Sequence, residues 1–176
     1  MTDPQAWLVL QAQSGDRMAL EALLESVQRP LYRYVLGLTG DRSLADDVLQ
    51  ETLVRIYRKL RWLDDPALFR PWAYRIASRE AFRVLGRRRQ LQECEVDDSA
   101  LDAVPDIEMV APKPGDLERL ISHASPASRA VLLLHYQDDL TIEEVAGVLG
   151  IPPGTVKSRL ACGLRQLRQT MKRTVS

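Results

Sequence analysis

Arginine recurs at every fourth position from Arg75 through Arg79 and Arg83 to Arg87, and Arg88 and Arg89 extend the run. On a helix that spacing lines guanidinium groups along one flank, with Glu80 as the nearby counter-charge. Trp62, Phe69, Trp72, Tyr74 and Phe82 lie just ahead of these cations or between them. Cations track phosphates and aromatic rings stack on unpaired bases, so the combination suits strand-separated nucleic acid. A bundle helix whose aromatics are core and whose arginines only solubilise it would carry the same residues. Spacing does not separate the two.

A second set lies near the C-terminus. At about 100° per residue, Val156, Leu160, Leu164, Leu167 and Met171 share one side of a helix. Thr155, Ser158, Cys162 and Arg165 fall opposite, flanked by Lys157, Ala161 and Arg168. Small polar and basic side chains at the start of a helix suit the major groove, where base edges and phosphates want donors. Neither set is catalytic. His123 and His135 have no nucleophile or carboxylate constellation, no glycine-rich phosphate loop is present, and Cys94 and Cys162 have no zinc spacing. A protein that is not an enzyme and needs no cofactor or metal is expected.

The elements that position these sets are helical throughout. Helices are expected over about 4–12, 16–36 with a bend at Pro30, 43–60, and 71–89 with proline in the first turn. In the third, Leu44, Val48, Leu49, Leu53, Ile56 and Leu60 mark the buried face, and Ser43 offers an N-cap hydroxyl. Thr141 and Glu144 form a capping box ahead of Ile142, Val145, Ala146 and Leu149. Gly150 can take the left-handed conformation that ends this short helix, and Pro152 and Pro153 start the next one at once. A short helix, a glycine turn and a longer basic helix describe a helix-turn-helix.

The formal net charge of +0 hides a pattern. Residues 1–90 carry 15 Lys/Arg against 11 Asp/Glu, residues 91–120 carry 2 against 9, and residues 121–176 carry 7 against 4. Two basic lobes joined by an acidic, proline-bearing segment favour a polyanion touched at two places. The expected fold class is all-α: two small helical domains over 1–90 and 116–176, joined by a flexible acidic linker over 91–115. Apolar content of 45% is that of a globular chain, the apolar runs are too short to span a bilayer, and Asp3 and Pro4 argue against a signal peptide. A cytoplasmic protein is expected.

Four runs carry a specific resemblance. Leu44-Ala45-Asp46-Asp47-Val48-Leu49-Gln50-Glu51-Thr52 and Phe69-Arg70-Pro71-Trp72-Ala73-Tyr74-Arg75-Ile76-Ala77 resemble sigma region 2. Leu140-Thr141-Ile142-Glu143-Glu144-Val145-Ala146 and Gly150-Ile151-Pro152-Pro153-Gly154-Thr155-Val156-Lys157-Ser158-Arg159-Leu160 resemble sigma region 4. Both lobes in this order, with no domain between, resemble the extracytoplasmic-function (group 4) sigma factors of the sigma-70 family. The resemblance implies that Asp46, Asp47, Gln50, Glu51, Arg55 and Arg58 dock on core RNA polymerase. It implies that Trp62, Phe69, Trp72, Arg75, Arg79, Arg83 and Arg87 open and hold the −10 element of promoter DNA, with one base flipped into the Trp62–Phe69 loop. It implies that Thr155, Lys157, Ser158, Arg159, Ala161, Cys162 and Arg165 read the double-stranded −35 element, and that an anti-sigma factor is an expected partner. The sequence departs from the family at Ala161-Cys162-Gly163, where longer side chains are usual, and at Arg79 and Arg83, where Asn and Asp are common. A decoy that binds only an anti-sigma factor and a stand-alone helix-turn-helix regulator are the competing readings.

Overall fold

The computed structural model describes residues 4–91 and 116–174, and the chain divides into two compact units at Leu85–Gly86. Every regular element among the described residues is helical. The acidic linker expected over 91–115 lies outside the described residues, Leu91 excepted.

The first unit contains α1 (Pro4–Gln13), α2 (Arg17–Thr39), α3 (Arg42–Lys59) and most of α4 (Phe69–Leu91). Helix α2 starts where the Asp16 carboxylate accepts from the Met18 and Ala19 amides at 2.9 and 3.1 Å. It continues unbroken through Pro30 and stops at Gly40, whose φ of 68° only glycine adopts without strain. Helix α3 is capped by the Asp41 carboxylate, which accepts from Leu44 at 3.2 Å. Ser43, the expected cap, is inside the helix. An aspartate one turn ahead of the apolar stripe does the same work with a charged acceptor. A single-turn 3-10 helix, Leu60–Trp62, and a second, Pro66–Leu68, lead from α3 into α4.

Leu23, Val27, Leu31, Tyr34, Val35 and Leu38 of α2, Ile56 of α3, and Phe69, Ala73, Tyr74 and Ala77 of α4 are among the buried side chains that form this unit's core. The Tyr34 and Tyr74 rings meet edge to face at 5.5 Å. The Ser78 hydroxyl donates to the Tyr74 carbonyl at 2.7 Å, and its oxygen meets the Tyr34 hydroxyl at 2.8 Å. Beside this core lies a charged seam. The Glu80 side chain is 4% exposed. Its Oε1 forms an ion pair with Arg55 Nε of α3 at 3.0 Å, and its Oε2 accepts from Arg83 Nε and Nη2 at 3.0 and 2.9 Å. Arg55 Nε also donates to Glu51 at 2.8 Å. The chain of contacts Glu51–Arg55–Glu80–Arg83 alternates in sign and ties α3 to α4.

The second unit holds α5 (Asp116–His123), α6 (Pro126–Leu132), α7 (Ile142–Leu149) and α8 (Pro153–Thr174). Helix α6 is capped by Ser125 and runs into a π turn over Leu133–Gln137, which Asp138 closes by donating to the Leu133 carbonyl at 3.1 Å. His135 Nδ1 lies 2.8 Å from the Leu140 carbonyl, so this histidine is held within the turn. Ala130–Leu134, Leu140, Val145, Val148, Val156, Leu160 and Leu164 form the core. Gly163 closes it. A Cβ on Gly163 would stand 3.1 and 3.2 Å from the Leu132 methyl carbons. The glycine that weakens α8 by about 1 kcal/mol of helix propensity therefore lets α6 approach closely.

Two consequences follow from these contacts. Gly163→Val should lower the unfolding free energy by about 1–3 kcal/mol through overpacking, measured by urea denaturation. Shortening Leu132 to Ala in the same chain should cost less than in the wild type, because the two side chains compete for one space. Glu80→Gln should cost about 1–3 kcal/mol, because the two guanidiniums keep an acceptor but lose the charge facing them. A denaturation midpoint unchanged by Glu80→Gln would contradict that role.

Candidate nucleic-acid interface

The helix-turn-helix is built by its caps. Thr141 Oγ1 accepts from the Glu144 amide at 3.2 Å, and Glu144 Oε2 accepts from the Thr141 amide at 2.8 Å. Gly150, at φ 66°, ends α7 by donating to the Ala146 carbonyl, and Ile151 donates to the same oxygen at 3.2 Å. The Pro152 carbonyl accepts from Thr155 and Val156 at 3.0 and 3.2 Å, which starts α8 with only three residues between it and α7.

Along α8, Val156, Leu160 and Leu164 are buried as their spacing requires. Lys157, Cys162 and Arg165 are exposed, and Thr155, Ser158 and Arg159 are half-buried. These six residues form the outward face of the helix. Ala161 does not join them. It is buried beside Leu160, because its single methyl lets the packed face widen to include it. Ser158 Oγ donates to the Thr155 carbonyl at 2.9 Å, so its hydroxyl proton is committed to the backbone. Cys162 is a free thiol. The side chains of Leu167, Arg168, Met171, Lys172 and Arg173 lie outside the described set.

Along α4, Arg75, Arg79 and Arg83 of the first unit, and Arg87 just past the division, are all exposed. They are not equivalent. Arg83 is bound twice to Glu80, whereas Arg75, Arg79 and Arg87 make no ion pair among the described residues. Trp72 is half-buried with its ring 6.1 Å from that of Phe69. Phe69, expected among the base-contacting aromatics, is completely buried and cannot meet a base. It is a core residue that anchors the start of α4. Trp62 stands at the other extreme, 61% exposed, with the Arg61 guanidinium 4.0 Å from its ring centroid.

On α3, Asp46, Asp47, Gln50 and Arg58 are exposed, and Glu51 and Arg55 are half-buried within the charged seam. The first four form a polar row on the side opposite Ala45, Val48, Leu49, Thr52 and Ile56. Gln13 of α1 was not anticipated at all. Its carboxamide donates to the carbonyls of Leu60 and Leu63 in the turn that carries Trp62. A glutamine near the end of an apolar helix carries no signal of such a partner. Among the described residues no group of three His, Cys, Asp or Glu could hold a metal ion, and no helix is long and apolar enough to cross a membrane.

Residues 23–91 match the family described as Sigma-70 region 2, and residues 115–167 match Sigma-70, region 4. The ECF RNA polymerase sigma factor SigL of Mycobacterium tuberculosis is 31% identical over 168 residues, covering 92% of this chain and 93% of SigL. The ECF RNA polymerase sigma factor SigE of Mycolicibacterium smegmatis is 30% identical, and the match covers 88% of this chain and 63% of SigE. Among solved structures, the sigma factor RpoE of Bartonella quintana, in complex with the anti-sigma factor NepR, has a TM-score of 0.67 at 21% identity. That match covers 86% of this chain and 96% of RpoE, and at that identity it speaks for the fold. The chain belongs to the sigma-70 family of RNA polymerase sigma factors, in its extracytoplasmic-function group.

Proposed function

We propose that the chain binds core RNA polymerase and directs it to promoters, with the first unit opening the −10 element and the second reading the −35 element. The exposed row Asp46, Asp47, Gln50 and Arg58 is the docking face for polymerase. Trp62 and the free guanidiniums of Arg75, Arg79 and Arg87 meet the separated strand: the indole offers a stacking face and the cations follow phosphates. Lys157, Cys162 and Arg165, with Thr155, Ser158 and Arg159, enter the major groove. The observation that carries this reading is that both units turn polar rows outward in the segments that match the two sigma regions. No residue in these rows forms or breaks a covalent bond; nucleotide addition belongs to the polymerase. An anti-sigma factor is the further partner, as NepR is for RpoE of Bartonella quintana.

The test is direct. The purified chain, mixed with core polymerase and fragmented genomic DNA, should form a stable complex and yield transcripts whose upstream sequences share two spaced elements. No binding to core would sink the proposal and leave a decoy for an anti-sigma factor. DNA binding as a dimer without polymerase would favour a stand-alone regulator.

The pairing of Arg83 gives a finer expectation. Arg79→Ala should weaken binding of the melted strand and lower the log–log salt slope by about 0.7, the amount expected for one single-strand phosphate contact. Arg83→Ala should leave that slope nearly unchanged and instead reduce stability through Glu80. Equal slopes for the two variants would refute the division of labour along α4.

A further inference from the structure

The loop between α3 and α4 is held from outside itself. Gln13, the last residue of α1, donates both hydrogens of its carboxamide: to the Leu60 carbonyl at 2.9 Å and to the Leu63 carbonyl at 2.8 Å. The two acceptors lie 47 and 50 residues away in the chain and bracket Arg61 and Trp62. On the other side the same two residues are anchored by their side chains, since Leu60 and Leu63 are both buried. The short turn is thus clamped twice at each end, by an apolar side chain and by a carbonyl accepting from Gln13. Helix α1 also packs against the second turn, Pro66–Leu68.

What the clamp presents is unusual for a soluble surface. Trp62 keeps most of its indole in water, and Arg61 lies over the ring. An exposed tryptophan on a free loop samples many orientations, and binding must then meet the entropy of fixing one of them. Here the backbone on both sides of Trp62 is fixed before any ligand arrives.

We infer that Gln13 is a positioning residue for base capture: by holding the Leu60 and Leu63 carbonyls it sets the orientation in which Trp62 and Arg61 receive an unpaired base. The inference rests on the reading of this loop as the −10 capture element. Gln13 itself touches no DNA. Its effect is therefore on discrimination between bases rather than on polymerase docking or −35 reading.

The experiment uses complexes of core polymerase with the wild type, Gln13→Met, Gln13→Glu and Trp62→Ala. Both Gln13 variants preserve side-chain length and remove the donors. Promoter opening is measured on templates carrying each of the four bases at every −10 position. The wild type should prefer one base at one position, and each Gln13 variant should reduce that preference by roughly five-fold, about the worth of one net hydrogen bond. Core affinity and −35 preference should stay as in the wild type. In the Trp62→Ala background, Gln13→Met should have no further effect on base preference, because the one acts through the other. Loss of fold would lower opening on all templates by one factor and leave the base preference intact. Intact preference in either Gln13 variant, or additive effects with Trp62→Ala, overturns the inference. A wild type with no −10 dependence overturns the reading beneath it as well, and is recognised because Trp62→Ala then changes nothing either.

Discussion

A carboxylate almost fully withdrawn from water, that of Glu80, sets the relation between the two helices on which the first unit depends. Desolvating such a charge costs on the order of several kcal/mol unless it is paired and hydrogen-bonded. Both oxygens are used, one by Arg55 from α3 and the other by two nitrogens of Arg83 from α4 itself. The guanidiniums are about half exposed and retain part of their hydration, so the arrangement avoids burying three charges together. Its consequence is directional. Arg55 of α3 and Arg83 of α4 meet the same buried anion, which ties the outward polar row of α3 to the arginine row of α4.

The second unit reaches the same end by backbone means. Here the capping box, Gly150 and the Pro152 carbonyl place α8 relative to α7. These are short-range devices with few degrees of freedom. Packing of Leu132 against Gly163 supplies the third point of support, because the absent side chain lets α6 lie close behind α8.

How far the sequence could be read follows from which interactions are local. The helices, the capping box, the glycine stop and the apolar stripes of α3 and α8 were all legible, because period and capping chemistry act within a few residues. The bounds differ by one to three residues at most ends, and the cap of α3 moved from Ser43 to Asp41 because both offer an oxygen within reach. Non-local facts were not legible. Phe69 and Trp62 are both aromatics near the arginines, yet one is core and the other is in water, which depends on what packs above the loop. Ala161 sits at the edge of the buried arc of α8, where the width of the contact decides its side. Arg83 shares its spacing with Arg79, and only the third dimension brings Glu80 and Arg55 together. Gly163 read as a weakness from helix propensity alone, and Gln13 read as nothing.

The chemistry left to α8 is narrower than its residue types imply. While Ser158 donates to the Thr155 carbonyl, its oxygen can only accept, so it matches the amino groups of adenine or cytosine and not the carbonyl of guanine or thymine. Buried Ala161 offers no methyl for thymine, and the Cys162 thiol is only a weak donor. Lys157, Arg159 and Arg165 are the strong donors that remain, and the long cationic side chains can serve phosphates as readily as guanine. If this helix reads DNA as proposed, recognition would lean on position along the backbone and on a few acceptor-selective contacts. If the proposed function holds, most of the discrimination would fall to the first unit, whose clamped indole offers the stacking face.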